Sequence, residues 1–266
     1  MILQQSRRAN VGHIGSCLCV VEILCALYER VLRIPFPADP DRDRFILSKG
    51  HAALALYAVL VQRGWLSHSD LDSFCANGTL LGVHPECQLP GVDFSAGSLG
   101  HGMSIAAGAA LAAILQGSAR RVFCLISDAE CNEGSVWEAA MFSAHHCLHN
   151  LTAIVDLNGQ QAFGRTRDVL DLSNLKDRWQ AFGWRVTEVA GHTLEDLSRV
   201  LNTNSRTGDP PHVVLARTTF GYGISFMMEG RALTQSHLSV QPFNWHYLPM
   251  SDEEYQVAMA ELESAD

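Results

Sequence analysis

Two short apolar runs, Val122–Ile126 and Leu151–Leu157, constrain this chain more than any other feature. The first is continuous rather than alternating, the second is mostly apolar, and both are too short for a core helix, the pattern of strands buried in a parallel sheet. Parallel neighbours need a long crossover, and the intervening stretch from about Ser135 to His149 reads as the helix that supplies it. The alternation recurs on both sides. Upstream lie a packed helix over Cys17–Val31, a Pro-rich surface loop, a strand at Phe45–Ser48, a helix at Ala52–Gln62 and a helix at Gly100–Gln116. Downstream lie a helix at Leu175–Phe182, a strand at Trp184–Val189, a helix at Leu194–Leu201 and a strand at His212–Thr218. A loop from Phe220 to Tyr247 and a last helix from Asp252 close the chain. The expected fold is α/β, a doubly wound, mainly parallel sheet flanked by helices. No repeat, low-complexity tract or linker divides it, so residues 1–266 read as one domain.

In such sheets ligands sit beyond the carboxyl ends of the strands. Two consecutive strands end in oxygen ligands, Asp128 and Asn158, and their spacing of 158 − 128 = 30 is about one βαβ unit. Both side chains then face one crevice. A carboxylate, an amide oxygen and loop carbonyls are hard donors suited to Mg²⁺ or Ca²⁺, which complete their shells with phosphate oxygens. Glu130 and Glu133 begin the following helix, where acidic groups suit the helix dipole. On spacing alone a plainer reading stands equally, with Asp128 and Glu130 capping a helix and Asn158 making a turn. His51 follows a tight turn at a helix start, a position suited to an anionic oxygen.

Composition excludes several classes. With 19 Lys and Arg against 28 Asp and Glu the net charge is −9, so a cationic nucleic-acid surface is not expected. The longest apolar run, Ile105–Leu115, is far short of a membrane span, and the N-terminal residues lack a secretory apolar stretch. Eight cysteines without a C-x-x-C pair, most of them inside apolar stretches, read as free thiols in a reducing compartment, hence a cytoplasmic protein.

Together the motifs narrow the chemistry. Ser127-Asp128-Ala129-Glu130 with Glu133-Gly134, Trp137-Glu138-Ala139, Asn150-Leu151 and Asp156-x-Asn158-x-x-Gln161 resemble the thiamine-diphosphate signature of transketolases. The likeness continues in order through Asn10-x-Gly12-His13-x-Gly15, Ser48-Lys49-Gly50-His51, Gly82-x-His84-Pro85-Glu86, Gly97-Ser98-Leu99-Gly100, Gly221-x-Gly223 and Trp245-His246. It covers nearly the whole chain and is nearest to the N-terminal, diphosphate-binding half of a split, two-chain transketolase. The resemblance implies the diphosphate-binding (PP-type) domain of the thiamine-diphosphate fold. It makes Asp128 and Asn158 metal ligands, with the Gln160 backbone carbonyl as a third, for Mg²⁺ or else Ca²⁺ or Mn²⁺. His51 and the Ala129 N–H would meet the diphosphate of thiamine diphosphate, and Gly97, Ser98 and Leu99 would line its aminopyrimidine. His13, His84 and His246 would surround the reacting carbon and the sugar hydroxyls, and imidazole suits proton transfer near neutral pH. His246 is preferred to His237 because Trp245 precedes it. Glu133 resembles a glutamate that couples paired active sites across a dimer interface.

The implied reaction moves a two-carbon ketol unit from a ketose to an aldehyde. The family's pyrimidine-binding and C-terminal domains, with the glutamate that activates the aminopyrimidine, are expected on a partner chain in an α2β2 assembly. No membrane or nucleic-acid partner is expected. Two other readings keep this fold: an acyl transferase that decarboxylates a 2-oxo acid, and a non-catalytic regulatory subunit. Ser127 and Ala129 stand where the family carries glycines, Ile14 where it often has proline and His101 where it has glutamine. The tail loop over 228–245 is longer than the family's. His145, His146 and His149 sit on one predicted helix, where the 145/149 pair has metal-site spacing, but no third ligand accompanies them.

Overall fold

The computed structural model describes residues 1–203, 205–229 and 244–264. Its strands are β1 (Arg44–Leu47), β2 (Val122–Ser127), β3 (Leu151–Leu157), the two-residue β4 (Gln160–Gln161) and β5 (Gly164–Arg165), β6 (Arg185–Ala190) and β7 (His212–Arg217). The helices run α1 (Ile2–Ala9), α2 (Ile14–Leu18), α3 (Val21–Ala26), α4 (Ala53–Gln62), α5 (His68–Leu71), α6 (His101–Leu115) and α7 (Gly134–His145). They continue with α8 (Thr166–Val169), α9 (Leu175–Ala181), α10 (Leu194–Leu201), α11 (Ser225–Met228), α12 (Asn244–Tyr247) and α13 (Asp252–Ser264). Five parallel strands form one sheet in the order β1-β2-β3-β7-β6, and β4 and β5 make a separate antiparallel hairpin.

Alternate residues of the apolar strands feed opposite layers, as a pleated strand requires. Phe123, Leu125, Ile154 and Val214 pack with α3, α4 and α10, including Leu24, Leu60 and Leu197. Val122, Cys124, Ile126, Ala153 and Val155 pack with α6, α7 and α9, including Ala106, Val136 and Trp179. Helices therefore cover both faces of the sheet, as expected. The Ala- and Gly-rich α6 lies close to the strand ends, and a Cβ at Gly102 would overlap Ser48. A third apolar cluster joins the two ends of the chain, with Leu3, Ile14 and Leu18 packed on Phe220, Phe226, Trp245 and Met250. That packing brings 12–15 and 245–247 to the same crevice.

Two expectations are corrected. Cys17–Val31 is not one helix: α2 ends at Leu18, Val20 leaves helical geometry, and Leu27–Val31 forms a π turn. The stretch is largely buried, so it lacks the polar stripe that would mark a break. The predicted helix to His149 stops at His145, His146 caps it, and Cys147 turns at φ 48°. His145 and His149 therefore do not share a helical face. All eight cysteines are free, and Cys17, Cys19, Cys124 and Cys131 are buried. No helix among the described residues is long and apolar enough to cross a membrane.

Candidate active site

Register builds the floor of the site. Ser127 of β2 pairs with Asp156 of β3, and Asp156 pairs with Ala216 of β7, so three adjacent strands end together. Asp128, Asn158 and Thr218 follow at their tips. Asp128 is 4% exposed. Its Oδ1 accepts from the Ala129 N–H at 2.8 Å, and its Oδ2 accepts from the Gly159 N–H at 2.9 Å and the Thr166 hydroxyl at 3.0 Å. Burial, reinforced by the nearby Asp156 charge, pushes its pKa up to about 7. The Asn158 amide donates to Asp156 Oδ2 at 2.7 Å, while its Oδ1 accepts from the Gln160 N–H at 2.9 Å.

Asp156 is the hub behind these two residues. Its carboxylate takes Lys49 Nζ at 2.5 Å, with both side chains 0% exposed. Cys19 Sγ donates to Oδ2 at 3.2 Å, and the Thr218 hydroxyl donates to Oδ1. Burial opposes charge on Lys49, but the attraction of Asp156 outweighs it and holds the ammonium above its usual pKa. Glu130 forms a second brace. It is fully buried and accepts from the Ser48 hydroxyl, from the Gly100 N–H at 2.8 Å and from the Ser127 N–H at 3.3 Å. One carboxylate thus ties the ends of β1 and β2 to the loop entering α6. The Ser127 hydroxyl, in place of the family glycine, accepts from the Glu130 N–H at 3.1 Å and so closes the turn around Asp128. Ala129 keeps a negative φ, so its Cβ is tolerated.

Across the crevice three imidazoles converge. Ring centroids lie 5.1 Å apart for His13 and His51, 5.6 Å for His51 and His246, and 5.6 Å for His13 and His246. His13 adopts the left-handed conformation at φ 60°, uncommon for a residue with a Cβ, and its N–H donates to the His246 carbonyl at 3.0 Å. A Cβ at Gly12 would overlap the Tyr247 carbonyl, so only glycine lets the two segments meet there. Phe220 stacks behind His246 with centroids 6.0 Å apart. Burial, with the like charge of neighbouring histidines and Lys49, lowers His13 and His246 to about 4 and His51 well below its ordinary value. At neutral pH all three are uncharged. His13 Nδ1 and His246 Nδ1 are buried and meet no protein partner among the described residues, so each can serve a ligand.

His84 sits beside this group: its ring lies 3.3 Å from where a Gly97 Cβ would stand, and the Tyr57 hydroxyl donates to its carbonyl at 2.9 Å. The Gly97 backbone in turn packs on Gly50, next to His51. Ser98 is exposed and Leu99 half-buried in the same loop. Gln160 lies one residue past Gly159, with its Oε1 buried and without a partner among the described residues. The Ala129 N–H is engaged by Asp128 rather than turned outward. Glu133 does not join the histidines. It caps α7, packs beside Gly100 and is exposed at the surface. His237 and most of the 228–245 loop fall outside the described residues.

The residues fit a diphosphate held through a divalent cation. Among the described residues no group of three or more His, Cys, Asp and Glu could hold a metal, so the donors must include amide, backbone and ligand oxygens. A desolvated Asp128 carboxylate without a lysine or arginine partner among the described residues matches that demand, since Mg²⁺ commonly takes one or two carboxylates and completes its shell with phosphate and water. Sequence reading gave no such bracing role to Lys49, Asp156 or Glu130. All three stood in quoted motifs, but their partners come from distant strands and loops.

Comparison with known proteins agrees with this geometry. Residues 1–241 match the family model described as transketolase, thiamine diphosphate binding domain. An apulose-4-phosphate transketolase subunit of Phocaeicola vulgatus is 37% identical over 257 residues, covering 96% of this chain and 87% of that protein. The 6-deoxy-6-sulfo-D-fructose transketolase subunit SqwG of Clostridium sp. (strain MSTE9) is 36% identical over 266 residues, covering 99% of this chain and 92% of that protein. Among solved structures, Campylobacter jejuni transketolase superposes with a TM-score of 0.83 at 26% identity, covering 98% of this chain and 41% of that one. Pichia stipitis transketolase in complex with sedoheptulose 7-phosphate gives a TM-score of 0.85 at 26% identity, covering 98% and 39%. The chain thus spans about two fifths of those solved transketolases.

Proposed function

The chain belongs to the transketolase thiamine-diphosphate-binding family, and from that premise we propose that it is the diphosphate-holding subunit of a two-chain transketolase. The activity is transfer of a two-carbon ketol unit from a ketose to an aldehyde. The observation that carries this reading is the convergence of three uncharged, buried imidazoles, His13, His51 and His246, over a floor of Asp128 and Asn158. Relatives that match along almost their whole length are named as transketolase subunits, which favours ketol transfer over 2-oxo-acid decarboxylation. The intact Asp128, Asn158 and histidines favour a catalytic role over a regulatory one.

When bound, thiamine diphosphate supplies the nucleophilic thiazolium carbon that accepts and releases the ketol unit. The protein's part is to hold, orient and move protons. Asp128, Asn158 and the Gln160 carbonyl would hold Mg²⁺, or Ca²⁺ or Mn²⁺, against the diphosphate. The Lys49–Asp156 pair fixes which way the Asn158 amide faces, because Asp156 takes its N–H and leaves Oδ1 toward the 158–160 turn. His51 would donate to a diphosphate oxygen. His13, His84 and His246 would pass protons to and from the sugar oxygens, a task for which a neutral imidazole can give or take. Gly97, Ser98 and Leu99 would line the aminopyrimidine, and Glu133, exposed beside that loop, would meet a neighbouring protomer.

A partner chain carrying the pyrimidine-binding domain completes the site in this reading, as an α2β2 assembly in the cytoplasm, with residues 1–266 acting as one domain. The substrate is a ketose bearing an anionic group, as the names of both split relatives suggest. The test is direct. The purified chain is mixed with a pyrimidine-domain partner chain, thiamine diphosphate and Mg²⁺, then assayed with a ketose phosphate and with pyruvate. Ketol transfer from the ketose supports the reading; turnover of pyruvate alone overturns it.

A further inference from the structure

At the opposite end of the sheet from the histidines, a cleft of about 580 Å³ opens beside the residues that lead into β2 and β3. Its size suits a small-molecule site. Its walls carry Arg33, Arg120, Arg121 and His149 and no aspartate or glutamate, in a chain whose net charge is −9. One carboxylate lies behind the wall. Asp43, fully buried, pairs with Arg33 at 2.8 Å and with Arg121 at 2.7 Å. Two guanidiniums thus share one charge, and among the described residues the Arg120 guanidinium donates to the Pro40 carbonyl at 3.1 Å and to the Gln116 side chain, with Asp93 near enough to attract it. The cleft therefore keeps an excess of positive charge, and Asp43 fixes the direction of two of its cations.

Two polar groups add to this. The Asn150 amide nitrogen donates to the Ala110 and Arg120 carbonyls at 3.0 and 3.2 Å, which locks the side chain. Its Oδ1 is left buried and, among the described residues, without a partner in the wall of the cleft. A fourth guanidinium, Arg185, donates to the Thr203 and Ser205 hydroxyls at 3.3 Å each, and both hydroxyls line the cleft. A buried acceptor without a donor is costly, and a ligand hydroxyl would satisfy it.

We propose that this cleft binds a small phosphorylated polyol, with its phosphate on Arg33 and Arg120 and one hydroxyl on Asn150 Oδ1. Guanidinium recognises phosphate through charge-assisted, directional hydrogen bonds, and the locked amide oxygen separates a polyol phosphate from a bare anion. The cleft and the histidine site occupy opposite ends of the same parallel strands, so their ligands can be told apart.

The test titrates the full-length, isotope-labelled chain at constant ionic strength with glycerol 3-phosphate, inorganic phosphate and glycerol, following backbone amide resonances. Glycerol 3-phosphate is expected to give saturable shifts at Gly117, Ser118 and Thr152, with tighter binding than inorganic phosphate and none from glycerol. Arg120→Gln is expected to weaken binding about tenfold, the loss of one charge-assisted contact. Arg33→Gln serves the same purpose if that variant folds poorly. Asp128→Ala, across the sheet, should leave these shifts unchanged. Shifts confined to residues around His13, His51 and Gly159 would overturn the proposal, as would the absence of saturation. Equal affinity for inorganic phosphate and glycerol 3-phosphate would overturn it as well, because the cleft would then take a bare anion.

Discussion

The backbone N–H of His13 donates to the carbonyl of His246 at 3.0 Å, joining the two ends of the chain at the mouth of the crevice. The left-handed turn at His13 makes that bond and sets its ring beside His51 and His246. Asparagine tolerates this conformation, whereas a β-branched residue does not. His13→Asn is therefore expected to keep the fold while slowing ketol transfer by about 100- to 10,000-fold, the usual share of one acid–base group. His13→Val should also lower the melting temperature. Steady-state rates of the two-chain complex, paired with thermal melts, separate the two effects.

Lys49 and Asp156 form a fully buried ion pair, so removing one partner strands the other. Lys49→Met is expected to cost about 3–5 kcal/mol, a fall in melting temperature on the order of 10 °C. Lys49→Met combined with Asp156→Leu should recover part of the loss, because no charge is left uncompensated. Differential scanning calorimetry of the wild type and the two variants checks both statements.

Stability should fall on mild acidification. His13 and His246 titrate at about 4 and His212 at about 3 in the folded protein, all three lowered chiefly by burial. The unfolded chain takes up these protons near pH 6.5, earlier than the folded one. Between pH 6.5 and about 4 these three histidines therefore favour the unfolded state, while Asp128, raised to about 7, acts the other way and offsets about one of them. Each such histidine contributes a slope of about 1 kcal/mol per pH unit there, and none above pH 7. Urea melts at pH 7.5, 6 and 5 read the slope, which His212→Gln should reduce.

Glu130 ties Ser48, Gly100 and Ser127 together. Glu130→Gln keeps the size but turns an amide N–H toward at least one donor, and the expected loss is about 1–3 kcal/mol. The loop at 97–100, anchored through Gly100, should then exchange its amide hydrogens faster. Hydrogen–deuterium exchange over residues 96–101 measures this directly.

Much of this site was legible in the sequence, for physical reasons. Asp128 and Asn158 announce themselves because a buried parallel strand is a readable apolar run, and its next residues must lie at the sheet's carboxyl edge. His246 was reachable only through the Trp245-His246 motif. Its place beside His13 depends on the cluster of Leu3, Ile14, Phe220 and Trp245, which local pattern does not reveal. Lys49–Asp156 escaped because a buried ion pair joins distant segments and leaves no periodic trace. The break after Leu18 escaped because the stretch is largely buried, although that break is what turns Cys19 toward Asp156.

The most direct measurement is binding of thiamine diphosphate by the chain with its partner, with and without Mg²⁺, in wild type and Asp128→Ala. Isothermal titration calorimetry gives the affinity without requiring turnover. Cofactor binding that needs Mg²⁺ and falls about 100-fold or more in Asp128→Ala is the predicted result, since the metal bridge supplies several kcal/mol. Binding of equal strength in the variant, or without any divalent cation, would contradict a metal-held diphosphate at Asp128 and Asn158.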